Sequence, residues 1–177
     1  MSEAAPGFPD RQQFATPERA RLAEAVRRAI DVVMTVENAT AEQMVAAASS
    51  IEAATAVLAG PGAVTVDGPR RTSRDRDHGD YLPRSPIVGE SSPLAPPIAW
   101  EWVPPRILGR VVFGAAYEGP PSYVHGGIIA LAFDEMLGMA NIASGHPGMT
   151  GTLTVRYRRP TPLYREVSFE AWVVRVE

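Results

Sequence analysis

The chain contains no cysteine, few aromatic residues and no long uninterrupted apolar run. Of its 177 residues, 45% are hydrophobic and 7% aromatic. Without cysteine, disulfides, thiolate nucleophiles and Cys-based metal sites are excluded, so covalent chemistry must use oxygen or nitrogen nucleophiles. No run approaches the roughly 18 uninterrupted apolar residues of a membrane span. The opening sequence MSEAAPGFPD lacks the basic and apolar regions of a signal peptide, which predicts a cytoplasmic protein without a membrane partner.

The charged residues argue against nucleic acid as a partner, and the surroundings of His78 argue against a metal. Seventeen basic residues against 20 acidic ones give a net charge of −3. The arginines are scattered among acids and form no basic stripe of the kind that nucleic acid requires. His78 lies in a tract of mixed charge without neighbouring ligands, so it is not expected to bind metal. We therefore predict no nucleic-acid partner and no metal at His78.

Composition divides the chain into three segments. Residues 1–60 predict a leader and a helical hairpin, whose helices open after the N-cap candidates Thr16 and Thr40. Residues 61–97 are rich in Pro, Gly and charged side chains, which predicts a solvated linker. Residues 98–177 carry the strand and helix patterns of the main domain.

The third segment predicts an α+β domain with the order β-β-α-β-β. The apolar helix covers residues 126–143, and the strands are expected at 98–103, 109–117, 151–157 and 167–176. In the third strand, Leu153, Val155 and Tyr157 alternate with polar residues, as in a sheet with one covered face. The fourth strand ends with the sequence, so either its edge is covered by another element or the sequence is truncated.

The stretch EGPPSYVHGGIIALAFD, residues 118–134, predicts chemistry on acyl groups. It places His125, Gly126 and Gly127 at the start of the apolar helix and Asp134 within it. Free N–H groups at a helix N-terminus can stabilise a developing oxyanion, and glycine allows a substrate to approach the backbone closely. Asp134 loses hydration in apolar surroundings, so it should be a stronger base than a solvated aspartate.

Together with GMTGTLTVRYRRPTPL, residues 148–163, this stretch resembles the hotdog-fold acyl-CoA thioesterases of the phenylacetate-pathway type. Within them it is most similar to the subgroup of thioesterase superfamily members four and five. The resemblance covers about residues 82–177. It rests on the HGG triplet, a carboxylate nine residues after the histidine, and a threonine-containing strand that ends in an aromatic residue, a basic residue and proline.

The resemblance implies a hotdog fold, in which an antiparallel sheet wraps around a long central helix. It also implies a homodimer or a dimer of dimers that pairs through the strand after the helix and binds acyl-CoA at the interface. Because the family continues for at least one further strand, we expect C-terminal strands to be missing from this sequence.

Four residues acquire catalytic roles from the resemblance. Asp134 matches the catalytic carboxylate, which either deprotonates water or attacks the thioester directly. Gly127 or Gly126 matches the backbone donor to the thioester carbonyl, with His125 as its polar support. Thr150 matches the hydroxyl that orients water. The resemblance also implies no metal and no cofactor, because coenzyme A is part of the substrate.

Other residues have weaker assignments. Thr152 replaces Thr150 if the register differs by two residues. Arg158 and Arg159 either bind the phosphates of CoA or lie on an ordinary basic surface. Glu135 is interpreted as a salt-bridge or rim residue that could share the chemistry. Where family members often carry Asn or Gln, about six residues before the histidine, this chain has Glu118 and glycine.

Two other functions compete with thioester hydrolysis. A hotdog hydratase would add water to an unsaturated acyl thioester, for which it needs an acid–base pair at the double bond. A non-catalytic regulator would bind acyl-CoA and use the helical hairpin to contact a partner. The HGG triplet favours the thioesterase.

Overall fold

The structure is a computed structural model that describes residues 16–63, 84–96 and 98–176. Its elements in chain order are α1 (Pro17–Thr35), α2 (Ala41–Leu58), β1 (Ala99–Val103), β2 (Arg106–Val112), a 3₁₀ turn (Ala115–Tyr117), α3 (Gly126–Ala143) and β3 (Glu166–Trp172). The predicted α+β class is confirmed. The mixed-charge tract and His78 lie outside the described residues.

Both N-terminal helices begin where their capping residues predict. The Thr40 hydroxyl accepts the Gln43 N–H at 3.2 Å, and the Gln43 side chain accepts the Thr40 N–H at 2.8 Å. This reciprocal pair is a capping box, which satisfies two backbone donors that the helix itself leaves unpaired. The Thr16 hydroxyl accepts the Arg19 N–H at 3.4 Å at the start of α1.

The two helices belong to different compact units. One unit contains α1 together with the sheet and α3, and the other contains α2. In the first unit Ala23 of α1 is buried, and the Arg27 guanidinium donates to the Ser92 carbonyl oxygen at 2.7 Å. No residue of α2 is buried. A contact across 65 residues of sequence joins α1 to the rest of its unit, and helical periodicity does not reveal such contacts.

The central helix packs on a three-stranded antiparallel sheet of order β1-β2-β3. Its buried residues recur on the face that contacts β2 and β3: Ile129, Ala132, Met136, Met139, Ala140 and Ala143. Phe113 and Phe169 also belong to this core, and their ring centroids lie 6.4 Å apart. By length and composition alone α3 could also cross a membrane, but here its apolar face is part of this core.

Three predicted strands differ from the structure; the fourth, predicted at 167–176, covers Glu166–Trp172. The second begins earlier, at Arg106, and ends at Val112, after which residues 115–117 form the 3₁₀ turn. The predicted third strand, 151–157, belongs to no ladder among the described residues. The predicted alternation of exposure is nevertheless present, since Leu153 and Val155 are half-buried between exposed neighbours. An alternating pattern reports which face is covered, whereas a ladder also requires a partner strand.

Part of the expected linker contributes to the core. Within residues 84–96, Ile87, Val88 and Ala95 are buried. The buried Ser85 hydroxyl accepts the N–H groups of Ile87 and Val88 at 3.1 and 3.2 Å. Averaged composition concealed this segment, because a few apolar residues among prolines and glycines suffice to anchor a turn.

Candidate active site

The carboxylate of α3 has a hydroxyl partner from the segment that follows the helix. Asp134 is half-buried, and the Thr150 hydroxyl donates a hydrogen bond of 2.6 Å to its Oδ1. Among the described residues no hydrogen bond joins Thr152 to this carboxylate, so the structure places Thr150 there. Because the hydroxyl proton points at Asp134, the Thr150 oxygen and Asp134 Oδ2 can both accept protons from one water molecule. Glu135 is half-buried and interacts with other groups of the protein.

The HGG triplet forms the N-terminus of α3. His125 is the N-cap, and its Nδ1 accepts the Gly127 N–H at 3.0 Å. Nδ1 therefore carries no proton, and the neutral ring holds its proton on Nε2. A Cβ at Gly127 would lie 3.1 Å from His125 Nδ1 and 3.2 Å from Cε1. Because Gly127 has no side chain, there is room for the imidazole ring that caps the helix.

The two glycines differ in their free N–H groups. The Gly127 N–H, an expected donor to the thioester, is already bonded to the imidazole. The Gly126 N–H makes no hydrogen bond to any residue that the structure describes. At this helix start, Gly126 therefore offers the open backbone donor.

Tyr157 also contacts the start of α3. Its hydroxyl donates to the Gly126 carbonyl oxygen at 2.8 Å, and its ring lies 3.5 Å from the position of a Cβ at Gly126. The sequence motif includes Tyr157 as its aromatic residue, but it gives no role to the hydroxyl. No local pattern could have done so, because the two residues are 31 positions apart.

A groove opens beside this helix start. Its volume is about 510 Å³, and Gly126, Tyr157, Arg158 and Arg159 lie along its wall. Both arginines are exposed. The groove therefore combines a helix N-terminus with two cations, an arrangement that suits an anionic ligand. Asp134 and Thr150 do not line it.

The loop before α3 is fixed by its own residues. The Glu118 carboxylate accepts the Ser122 N–H at 2.7 Å. Ser122 has a positive φ of 71°. The His125 N–H donates to the Tyr117 carbonyl oxygen at 2.8 Å. A Cβ at Gly119 would lie 2.6 Å from His125 Cα, so only glycine fits against the cap residue. Glu118, which replaces an amide of many family members, thus shapes the loop.

One chain does not bring all the catalytic candidates together. His125 and Asp134 are nine residues apart on α3. At 1.5 Å and 100° per residue this separation is roughly 13.5 Å along the axis and about two and a half turns, which places them on opposite faces. The candidates form two clusters, one at the helix start with His125 and Gly126, the other midway with Asp134 and Thr150.

Comparisons with known proteins relate part of this chain to thioesterases. Residues 122–177 match a family model described as the thioesterase superfamily. Acyl-coenzyme A thioesterase THEM4 of Xenopus laevis is 38% identical over 64 residues, and THEM4 of Mus musculus is 34% identical over 64 residues; each match covers 36% of this chain. The matches span 29% and 27% of those two proteins, less than a third of their length.

A solved structure extends the similarity beyond the motif. The crystal structure of a thioesterase superfamily protein, 29% identical, superposes with a TM-score of 0.76 and covers 96% of this chain and 80% of its own. The likeness thus includes the sheet and the central helix as well as the matched residues 122–177. In fold the chain is thus similar to a thioesterase superfamily protein, and its residues 122–177 match the model of that superfamily.

Proposed function

We propose that the protein hydrolyses an acyl-CoA thioester to a free acid and CoA. The observation that carries the proposal is the hydrogen bond of 2.6 Å from Thr150 to Asp134, on a helix that begins with His125 and two glycines. Such a carboxylate can take a proton from water, and such a helix start can bind a carbonyl oxygen. The similarity to proteins named acyl-coenzyme A thioesterase supplies the substrate class.

In the proposed reaction, Thr150 and Asp134 hold one water molecule. Both accept its protons, so the water lone pair is directed at the acyl carbon. Asp134 takes a proton as the new C–O bond forms, and the carbonyl oxygen becomes an oxyanion. Collapse of this intermediate breaks the C–S bond, and the thiolate of CoA leaves and takes up the proton that Asp134 accepted. The same carboxylate could instead attack the acyl carbon itself, which would give a mixed anhydride that water then hydrolyses.

The oxyanion would be bound at the start of α3. Gly126 contributes its open N–H, and the His125 ring contributes Nε2–H because Nδ1 is held by Gly127. This assignment gives the role of backbone donor to Gly126 and a different role to Gly127. Gly127 keeps the imidazole in its tautomer, and Gly126 donates to the substrate.

The complete site would be shared between two subunits. Since His125 and Asp134 lie on opposite faces of one helix, a second chain must present its Asp134 and Thr150 to the first chain's helix start. Residues 151–157 directly follow Thr150 and pair with no described strand, so they are available to join two chains. We therefore propose a homodimer or a dimer of dimers.

Arg158 and Arg159 would bind the phosphates of CoA. They lie along the same groove wall as Gly126, so the thioester and the nucleotide end could occupy one continuous surface. Guanidinium groups bind phosphate through charge-assisted, often bidentate hydrogen bonds.

The test is free-thiol release by the purified chain from a panel of short, long and aromatic acyl-CoAs. Stoichiometric release of thiol and acid supports the proposal. Hydration of an enoyl-CoA without thiol release would identify a hydratase. Recovery of intact acyl-CoA after prolonged incubation, with measurable binding, would identify a non-catalytic binding protein.

A further inference from the structure

We propose that Asp31 of α1 is a positioning residue for the loop that carries His125; the kinetic part of this inference rests on the proposed function. Asp31 lies in the N-terminal helix, outside the matched residues 122–177. Its Oδ1 nevertheless accepts the Ala115 N–H at 3.1 Å, across 84 residues of sequence. A hydrogen bond to a carboxylate is stronger than one between neutral groups.

The contact continues through the backbone to His125. Ala115 begins the 3₁₀ turn, and Tyr117 ends it with its N–H bonded to the Gly114 carbonyl oxygen at 3.1 Å. The Tyr117 carbonyl oxygen in turn accepts the His125 N–H at 2.8 Å. Asp31 therefore fixes one end of a short turn whose other end holds the cap residue of α3.

A second set of contacts keeps α1 in place. The Arg27 guanidinium donates to the Ser92 carbonyl oxygen at 2.7 Å, and the Tyr117 hydroxyl donates to the Leu94 carbonyl oxygen at 3.1 Å. Burial raises the pKa of Tyr117 to about 12, although Arg27 lowers it in part. The phenol thus remains a proton donor at neutral pH, and the turn around Ser92 and Leu94 joins α1 to the 3₁₀ turn.

Gly114 provides the geometric basis for a test. A Cβ at Gly114 would lie 2.8 Å from Asp31 Oδ1 and 3.7 Å from Asp31 Cγ, with no other described atom within 4 Å outside its neighbours. Its φ of −92° and ψ of −171° are open to alanine. Among the described residues, the Asp31 carboxylate is what a methyl group would meet here, so Gly114→Ala should displace the Asp31 side chain.

The experiment is a double-mutant cycle on thiol release with Asp31→Ala, Gly114→Ala and the pair. We expect each single variant to lower kcat about threefold to thirtyfold, within the range of coupled neighbouring residues, while KM changes by less than about twofold. The pair should be no worse than Asp31→Ala, because the methyl group then meets no carboxylate. Asp31→Asn should retain most of kcat, since its amide oxygen can still accept the Ala115 N–H. Glu18→Ala, exposed on the same helix, is the matched control.

Backbone hydrogen exchange provides a readout that does not depend on activity. Faster exchange of the Ala115 and His125 amides in Asp31→Ala than in Glu18→Ala supports the inference, even if the wild-type chain releases no thiol and the proposed function fails. Unchanged exchange at His125, wild-type kcat in Asp31→Ala, or losses that add fully in the double variant would each overturn it. A lower melting temperature with unchanged kcat would also overturn it, because Asp31 would then serve stability alone.

Discussion

Thr150 and Asp134 are joined by a hydrogen bond of 2.6 Å although 16 residues separate them. The donor comes from the segment after the helix, and the acceptor comes from the middle of the helix. Because a threonine hydroxyl has one proton, this bond decides which lone pairs remain for a water molecule. The pair therefore behaves as one unit, and changes at either residue test the same chemistry.

Asp134→Asn should lower thiol release by on the order of a hundredfold or more, the usual effect of removing a general base. The amide has nearly the same volume and can still accept the Thr150 hydroxyl, so folding and substrate binding should persist. Steady-state kinetics and a thermal melt check both parts. Glu166→Gln, an exposed carboxylate of β3, is the control. Near-normal turnover of Asp134→Asn would place the chemistry elsewhere, with Glu135 as the next candidate.

Thr150→Val should lower kcat roughly tenfold or more, because a hydrogen bond to a charged group contributes about 1.5–3 kcal/mol. Thr150→Ser keeps the hydroxyl and should recover most of the activity. The same exchange at Thr152 makes the comparison specific, since among the described residues Thr152 makes no hydrogen bond to Asp134. A larger loss from Thr152→Val than from Thr150→Val would show that the active register differs by two residues.

Gly127→Ala should lower turnover more than stability. Its Cβ would press on the His125 ring at 3.1–3.2 Å and displace the imidazole that caps the helix. Gly127→Val should have a larger effect. The control is Gly138→Ala in the same helix, where a Cβ meets no described atom within 4 Å and where alanine should stabilise by about 0.5–1 kcal/mol. A large fall in melting temperature with unchanged activity per folded molecule would mean that Gly127 serves packing.

Tyr157→Phe should reduce kcat about threefold to tenfold, since one hydrogen bond of about 1 kcal/mol to the Gly126 carbonyl is lost while the ring remains. Substrate affinity should change little if the ring, and not the hydroxyl, lines the groove. Tyr164→Phe, another exposed tyrosine outside this groove, is the matched control. Equal kinetics for the two variants would contradict a role for the Tyr157 hydroxyl in holding the helix start.

A hybrid dimer tests whether the site is shared. Asp134→Asn and His125→Ala homodimers should each be nearly inactive. A hybrid with one chain of each kind contains one site whose His125, Gly126, Asp134 and Thr150 are all intact, and it should regain about half of the wild-type activity. The two chains are co-expressed with different tags and purified through both. A hybrid no more active than its parents would mean that one chain builds the whole site or that His125 is dispensable.

Elements with local causes could be predicted from the sequence. Thr40 and Gln43 predict the start of α2 because a capping box involves residues three apart. The HGG triplet predicts the start of α3 for the same reason, since the His125 cap reaches only to Gly127. The resemblance to the thioesterases also depends on short motifs, and the likeness of the fold confirms it.

Which distant groups meet depends on tertiary packing. The sequence left the choice between Thr150 and Thr152 open, gave no role to the Tyr157 hydroxyl, and did not show what α1 contacts. In the structure, Tyr157 holds Gly126 across 31 residues, and Asp31 holds Ala115 across 84. Contacts of this range depend on how the sheet, the helix and the loops pack together, and periodicity within one segment does not encode that packing. Whether residues 151–157 pair in a β-ladder depends in the same way on a partner strand, because a ladder forms between segments and not within one.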